Sequence, residues 1–211
     1  MLRHAEHEGS ELRLAARGSE LAFLGLVDRY HPTLVRVASL WVEEHVEIEA
    51  LVKQTWSAML RRLERFDDQS SLKGWLCVTL IKLARQRSGP EADERLQLEA
   101  AAPRLPAVDP ARFSPANNRW QGHWQTPPQD WPAQVEVPSS ILAAAIARLP
   151  HAERLLVVLR DSESLSSADV ERALDFPEPT QQRLLHSGRS QVRAALEQYY
   201  FTLAPSKSEA T

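Results

Sequence analysis

A chain of 211 residues, 43% hydrophobic and 25% charged, can bury one or two modest cores and is neither fibrous nor wholly disordered. Its 25 Lys and Arg against 28 Asp and Glu leave a formal charge of −3, so attraction to nucleic acid has to come from local patches. The one cysteine, Cys77, excludes a disulfide framework and a thiolate zinc site within the chain, and in its apolar helical setting it reads as a buried, inert thiol.

The charged start (Arg3, His4, Glu6, His7, Glu8) precedes no signal-like apolar core, and no apolar run approaches the ~20 residues that span a bilayer. A soluble, cytoplasmic protein is expected, with no membrane insertion. Residues 1–19 read as an N-terminal extension. From Glu20 to about residue 88 the pattern is helical throughout. Leu34, Val37, Ala38 and Trp41 mark a first face; Ile48, Leu51, Val52, Thr55, Trp56, Met59, Leu60 and Leu63 a second; Leu72, Trp75, Leu76, Thr79, Leu80 and Leu83 a third. Three amphipathic helices can share one core, the third capped by Ser70 or Ser71 after the turn-forming Asp67 and Asp68.

Over residues 89–137 prolines multiply (Pro90, Pro103, Pro106, Pro110, Pro115, Pro127, Pro128, Pro132) and no helical period is long enough to bury a face. About fifty such residues exceed an ordinary loop, and a linker is expected. Phe113, Trp120, Trp124 and Trp131 lie among these prolines. Large aromatics are costly to leave in water, so this piece is expected to dock, either on the chain's own domains or on a partner.

Residues 138–203 are helical again. Ile141, Leu142, Ala145, Ile146 and Leu149 make one apolar face that Pro150 closes. Arg154 to Arg160 is almost wholly apolar between its end charges and reads as a buried helix, with a strand as the alternative. Ser166 and Ser167 offer an N-cap with Asp169 in the first turn, for a short helix over about Ser167 to Leu174. Pro177 and Pro179 end it. Thr180 can then cap a last helix with Leu184, Leu185, Val192 and Leu196 facing inward, and Arg183, His186, Arg189 and Arg193 on its polar face. No acidic residue interrupts Thr180 to Ala195, which is the outline of a helix-turn-helix DNA reader. A basic helix face is also a common solvated surface, and periodicity alone does not separate the two. Residues 204–211 read as a disordered tail.

The expected fold class is therefore all-α: two small helical domains joined by a long Pro/Trp-rich linker, the C-terminal one a helix-turn-helix. In this layout ELAFLGLVDRYHPTLVRVA, IEALVKQTWSAMLRRLERF, FDDQSSLKGWLCVTLIKLARQR and the stretch from Ala147 to Tyr199 follow one another in order. With these motifs the chain resembles an extracytoplasmic-function sigma factor of the sigma-70 family, the bacterial subunit that directs RNA polymerase to particular promoters. The resemblance covers roughly Glu20 to Tyr200.

What the resemblance implies is a promoter-specific initiation factor whose partners are core RNA polymerase and promoter DNA, with an anti-sigma factor as a further partner. It places the residue 20–88 block on the polymerase clamp and the minus-ten element, and the residue 138–203 block on the minus-thirty-five element. Glu47, Glu49, Lys53 and Gln54 become candidates for polymerase contact. Ser70, Ser71, Lys73, Trp75, Lys82, Arg85 and Arg87 become candidates for the melted minus-ten strand, where cations hold phosphates and pockets accept unstacked bases. Trp75 also fits the buried stripe of its helix. Thr180, Gln181, Gln182 and Arg183 would meet the minus-thirty-five element at base edges, and His186, Arg189 and Arg193 at phosphates.

The sequence departs from the family pattern in places. Lys53-Gln54 replaces a Gln-Glu pair, Lys82 an asparagine, Glu171 a small residue, Asp175 a glycine, and Ser187-Gly188 an Arg-Ala pair. These departures keep open a second reading, a sigma-like interaction protein that retains a protein partner but binds DNA weakly, as a regulator or decoy. No nucleophile-base pair, phosphate loop or metal-ligand spacing is visible, so no enzyme, cofactor or metal is expected.

Overall fold

The computed structural model describes residues 10–62, 71–103 and 138–203. Helix α1 covers residues 10–16, followed by α2 (Glu20–Ala38), α3 (His45–Arg62), α4 (Leu72–Ser88), α5 (Pro90–Ala101), α6 (Ser139–Ala147), α7 (His151–Val157), α8 (Ser167–Leu174) and α9 (Glu178–Leu203). Val158–Ser162 forms one π-helical turn between α7 and α8. All regular structure among the described residues is helical, as expected. Ser70, the stretch from Pro106 to Trp131 with its four aromatics, and the tail from residue 204 lie outside them.

Two compact units form, and neither is continuous in the chain: residues 1–98 with 158–178, and residues 99–157 with 179–211. In the first, α2, α3 and α4 pack on one another around Leu26, Leu34, Leu51, Met59, Leu76, Leu80 and Ile81, all fully buried. Phe23 meets Trp56 edge to face at 5.6 Å. Ser19 caps α2 by accepting from the Ala22 amide, and Ser71 caps α4 by accepting from the Gly74 amide, as its position predicts. Helix α8 packs against α4 within this unit. It buries Val170, Ala173 and Leu174, with Phe176 just beyond.

Helix α8 has the bounds expected for it. Ser166 and Asp169 form a reciprocal capping box at its start, and Asp175 closes it in the left-handed region (φ 59°, ψ 31°), where a glycine is the commoner residue.

Three expectations are corrected. The chain over 90–101 is helix α5, opened by Pro90 at a position where a missing amide costs nothing, and it buries Leu96 and Ala100. Two buried side chains in twelve residues were too sparse a period to recognise. The buried helix expected over Arg154 to Arg160 lies at His151–Val157 and then widens into the π-turn. Helix α9 begins at Glu178, not after Thr180, because Pro179 sits in its first turn, where proline is tolerated.

In the second unit α6 packs on α7, and Glu99 caps α7 by accepting from the Ala152 amide at 2.8 Å. Gly188 lets the backbone of α9 lie close to α7: a Cβ there would stand 2.9 Å from Val157 Cγ2 and 3.5 Å from Glu153 Cβ. A residue that reads as a poor helix former is thus a contact point.

Candidate nucleic-acid interface

Helix α4 carries five of the described residues assigned to the minus-ten strand, and Ser71 is its N-cap. Its buried stripe (Leu72, Leu76, Leu80, Ile81, Ala84) turns Lys82 and Arg87 outward, both exposed, and leaves Lys73, Trp75 and Arg85 half-buried. Lys82 and Arg85 border one pocket with Gln86, Gly89, Pro90 and Asp93 at the corner between α4 and α5. Gly89 makes that corner with φ +82°, a conformation that favours glycine.

Two of the α4 cations are occupied within the first unit. Lys73 Nζ lies 2.9 Å from Glu163 Oε2, and Glu163 also accepts from Thr33 Oγ1 at 3.0 Å and from Arg36 Nε at 2.7 Å. The Glu163 side chain is 1% exposed. Burial pushes its carboxyl pKa up, but hydrogen bonds from Arg36, Lys73 and Thr33 outweigh that, and the group ends below the ordinary carboxylate range. Arg85 uses all three guanidinium nitrogens. Nε and Nη2 donate to Asp93, while Nη1 donates to Asp175 Oδ2 and to the Ala173 carbonyl at 2.7 Å each. The hydrogen bonds to Asp93 raise its pKa further, against the opposing pull of burial.

Gly74 explains how α8 comes so near. A Cβ on Gly74 would stand 2.7 to 2.9 Å from the carboxylate of Asp169, closer than real contacts permit. That carboxylate is held by Ser166 and by Arg172. Gln97 adds a hydrogen bond to the Leu174 carbonyl at 2.8 Å, so two carbonyls at the end of α8 are satisfied by side chains from α4 and α5.

On α9, Gln182, His186, Arg189 and Arg193 recur at four, three and four residues and form one exposed stripe. Arg193 pairs with Glu197 at 2.9 Å. Thr180 is half-buried in the first turn. Gln181 is 2% exposed, and Arg183 donates to the carbonyls of Ala100, Ala101 and Ala102 at the end of α5. In this conformation neither presents its polar end to a base edge. Glu171 is exposed and buries no charge.

On α3, Glu47, Lys53 and Gln54 are exposed and Glu49 is half-buried, 3.9 Å from the His31 imidazole. They lie opposite the face that buries Ile48, Leu51, Val52, Thr55, Trp56 and Met59. Glu163, Asp93, Asp175 and Gly74 were not singled out as site residues from sequence. Isolated acids and one helical glycine carry no period, and only long-range contact gives them meaning. Cys77 is fully buried, and burial, followed by the charge of Glu163, pushes its thiol pKa up to about 12. Among the described residues no cluster of metal-ligating side chains occurs, and no helix is long and apolar enough to cross a membrane.

Residues 26–88, which hold α4, most of α2 and all of α3, match the sigma-70 region 2 family. No curated protein is a significant match. Among solved structures, the chain is similar to CnrH in its complex with the cytosolic domain of CnrY, at 18% identity and TM-score 0.54, covering 91% of this chain and 98% of that one. It is also similar to the sigma factor RpoE in its complex with the anti-sigma factor NepR from Bartonella quintana, at 16% identity and TM-score 0.52, covering 83% and 96%. At such identities the likeness is one of fold. The fold is that of a sigma factor, carrying a sigma-70 region 2 on α2 to α4. Over residues 26–88 the match is to sigma-70 region 2, the span where the sequence motifs carry the same resemblance.

Proposed function

We propose that this protein is an initiation subunit of bacterial RNA polymerase that directs transcription from promoters carrying a particular upstream sequence, acting in the cytoplasm by binding and not by catalysis. The observation that carries the reading is the region 2 match on a helix whose outward residues are Lys82 and Arg87, with Lys73 and Arg85 beside them. Cations on a helix edge neutralise phosphates, and the half-buried Trp75 offers a face to an unstacked base. The exposed stripe Gln182, His186, Arg189 and Arg193 supports contact with the duplex near minus thirty-five. The outward polar face of α3, with Glu47, Glu49, Lys53 and Gln54, is the surface for polymerase. Since the RpoE structure is a complex with an anti-sigma factor, a protein inhibitor is the third partner of this reading.

The test is transcription in vitro: the full chain with bacterial core polymerase and a genomic fragment library, sequencing the transcript starts. Discrete starts sharing an upstream motif are expected. The engagement of Lys73, Arg85 and Arg183 within the chain favours one second reading, a sigma-like protein that keeps polymerase as partner and binds DNA weakly. Co-purification with polymerase without any discrete start would select it. No association with polymerase would refute both.

A further inference from the structure

We infer that the segment from Val158 to Asp175 is an intramolecular clasp on α4, and that its two carboxylates, Glu163 and Asp175, must leave Lys73 and Arg85 before α4 takes a DNA strand. The inference rests on the reading of α4 as the strand-binding helix.

Three independent observations carry it. The first is occupancy. Of the cations assigned to the strand, Lys73 is held by a carboxylate that is itself buried, and Arg85 has all three nitrogens engaged, with four of its five N–H donors committed. A guanidinium has five N–H donors in a fixed fork, so a two-pronged grip on a phosphate needs Asp175 or Asp93 to let go. Asp175 is 70% exposed and the readier to release.

The second is fit. Gly74 is the position on α4 where a side chain would collide with α8, and α8 lands there with Asp169. Removing the clasp leaves Gly74 without that neighbour, so the glycine is explained by the closed arrangement.

The third is local geometry. The π-turn inserts one residue into the helical repeat, with the Glu163 amide bonded to the Val158 carbonyl, and aims the Glu163 carboxylate between α2 and α4. The segment's Leu165, Val170 and Leu174, with Phe176 just beyond it, are buried and seat it on the unit. Acidic groups placed on the cations of a nucleic-acid face compete with the ligand's own charge. A chain that is open only part of the time binds with an affinity lowered by its open fraction.

The experiment compares three full-length chains: wild type, Glu163→Gln/Asp175→Asn, and the control Glu94→Gln/Glu171→Gln. The control removes the same two charges from exposed side chains of α5 and α8. Asparagine tolerates the left-handed geometry at 175. The probe is a fluorescein-labelled 20-nucleotide single-stranded DNA of mixed sequence, titrated by anisotropy, with amide hydrogen exchange over 167–174 measured on the same samples. Faster exchange in α8 with binding about tenfold tighter than the control is expected, the factor that corresponds to a closed state about 90% populated.

Faster exchange with the control's affinity would overturn the inference while leaving DNA binding by α4 in place. Unchanged exchange would overturn it as well, since the two carboxylates would then hold nothing. Absence of binding by all three chains would refute the strand-binding reading itself. Should the double variant lose helix content, Gly74→Ala opens the same contact from the α4 side without changing charge, and the same comparison with wild type decides.

Discussion

Replacing Gly74 with alanine should destabilise this protein, although glycine to alanine inside a helix ordinarily stabilises by about 1 kcal/mol. Gly74 lies in the first turn of α4, where that gain is at most about 1 kcal/mol. Against it, the new methyl would meet Oδ2, Cγ and Oδ1 of Asp169 at 2.7 to 2.9 Å. Asp169 cannot simply swing away, because it is 8% exposed and is held by Ser166 and Arg172. Overpacking of this kind costs about 1–3 kcal/mol, and displacing Asp169 removes a capping interaction worth about 1 kcal/mol. The cap loss and the propensity gain roughly offset one another, leaving a net loss of about 1–3 kcal/mol. Urea unfolding of the full chain followed by circular dichroism measures this. Amide exchange locates it, with the loss expected in 167–174 and protection in α2 and α3 retained. A variant more stable than wild type, with α8 as protected as before, would refute the contact between Gly74 and Asp169 and the docking of α8 with it.

Four further outcomes are expected. Because the Glu163 carboxyl sits below its ordinary value of 4.5 in the folded chain, its stabilisation is fully present above about pH 4.5 and is lost as pH falls through the lower folded value. The stability difference between wild type and Glu163→Gln, read from urea midpoints, should therefore shrink below pH 4.5 and stay constant from pH 6 to 8. The Cys77 thiol, with its pKa near 12 and no exposure, should resist a thiol reagent at pH 8 in the native chain and react at once in urea. Gly188→Ala should lose about 1 kcal/mol or more despite better helix propensity, since its methyl meets Val157 at 2.9 Å, and a rise in thermal midpoint would contradict this. Arg183→Ala should lower stability by about 1–3 kcal/mol by freeing the carbonyls of Ala100, Ala101 and Ala102 at the end of α5. An effect on promoter selection with no change in stability would show that Arg183 leaves those carbonyls to read a base.

Periodicity made the helices of the region 2 block legible, because Leu34, Leu51, Leu76 and their neighbours repeat at helical spacing over two to five turns. The α8 bounds followed from local chemistry, since Ser166 with Asp169 is a capping box and Pro177 follows shortly after. Helix α5 was hidden by the prolines at its two ends, Pro90 and Pro103, and by a buried face of only two residues, Leu96 and Ala100. The surroundings of the site were hidden for a different reason. Thr33, Arg36, Lys73 and Glu163 converge from sequence separations of up to 130 residues, and no local pattern announces that. Likewise the charge run from Arg183 to Arg193 predicted a basic face, but the loss of Arg183 to the α5 carbonyls depends on tertiary packing.

The pairing of Lys73 and Arg85 with carboxylates of their own chain bears on how counterions would be counted in a titration. A strand that displaced Glu163 and Asp175 would shed its condensed cations at those two phosphates, but the freed carboxylates would draw cations back from solution. The slope of log affinity against log salt, about −0.7 per phosphate neutralised on a single strand, would then fall short of the number of contacts made, by as much as two. Salt would also loosen the clasp as it weakened the complex. Such a protein would hold its DNA with less sensitivity to ionic strength than its exposed cations suggest, because part of the electrolyte it exchanges is built into its own sequence.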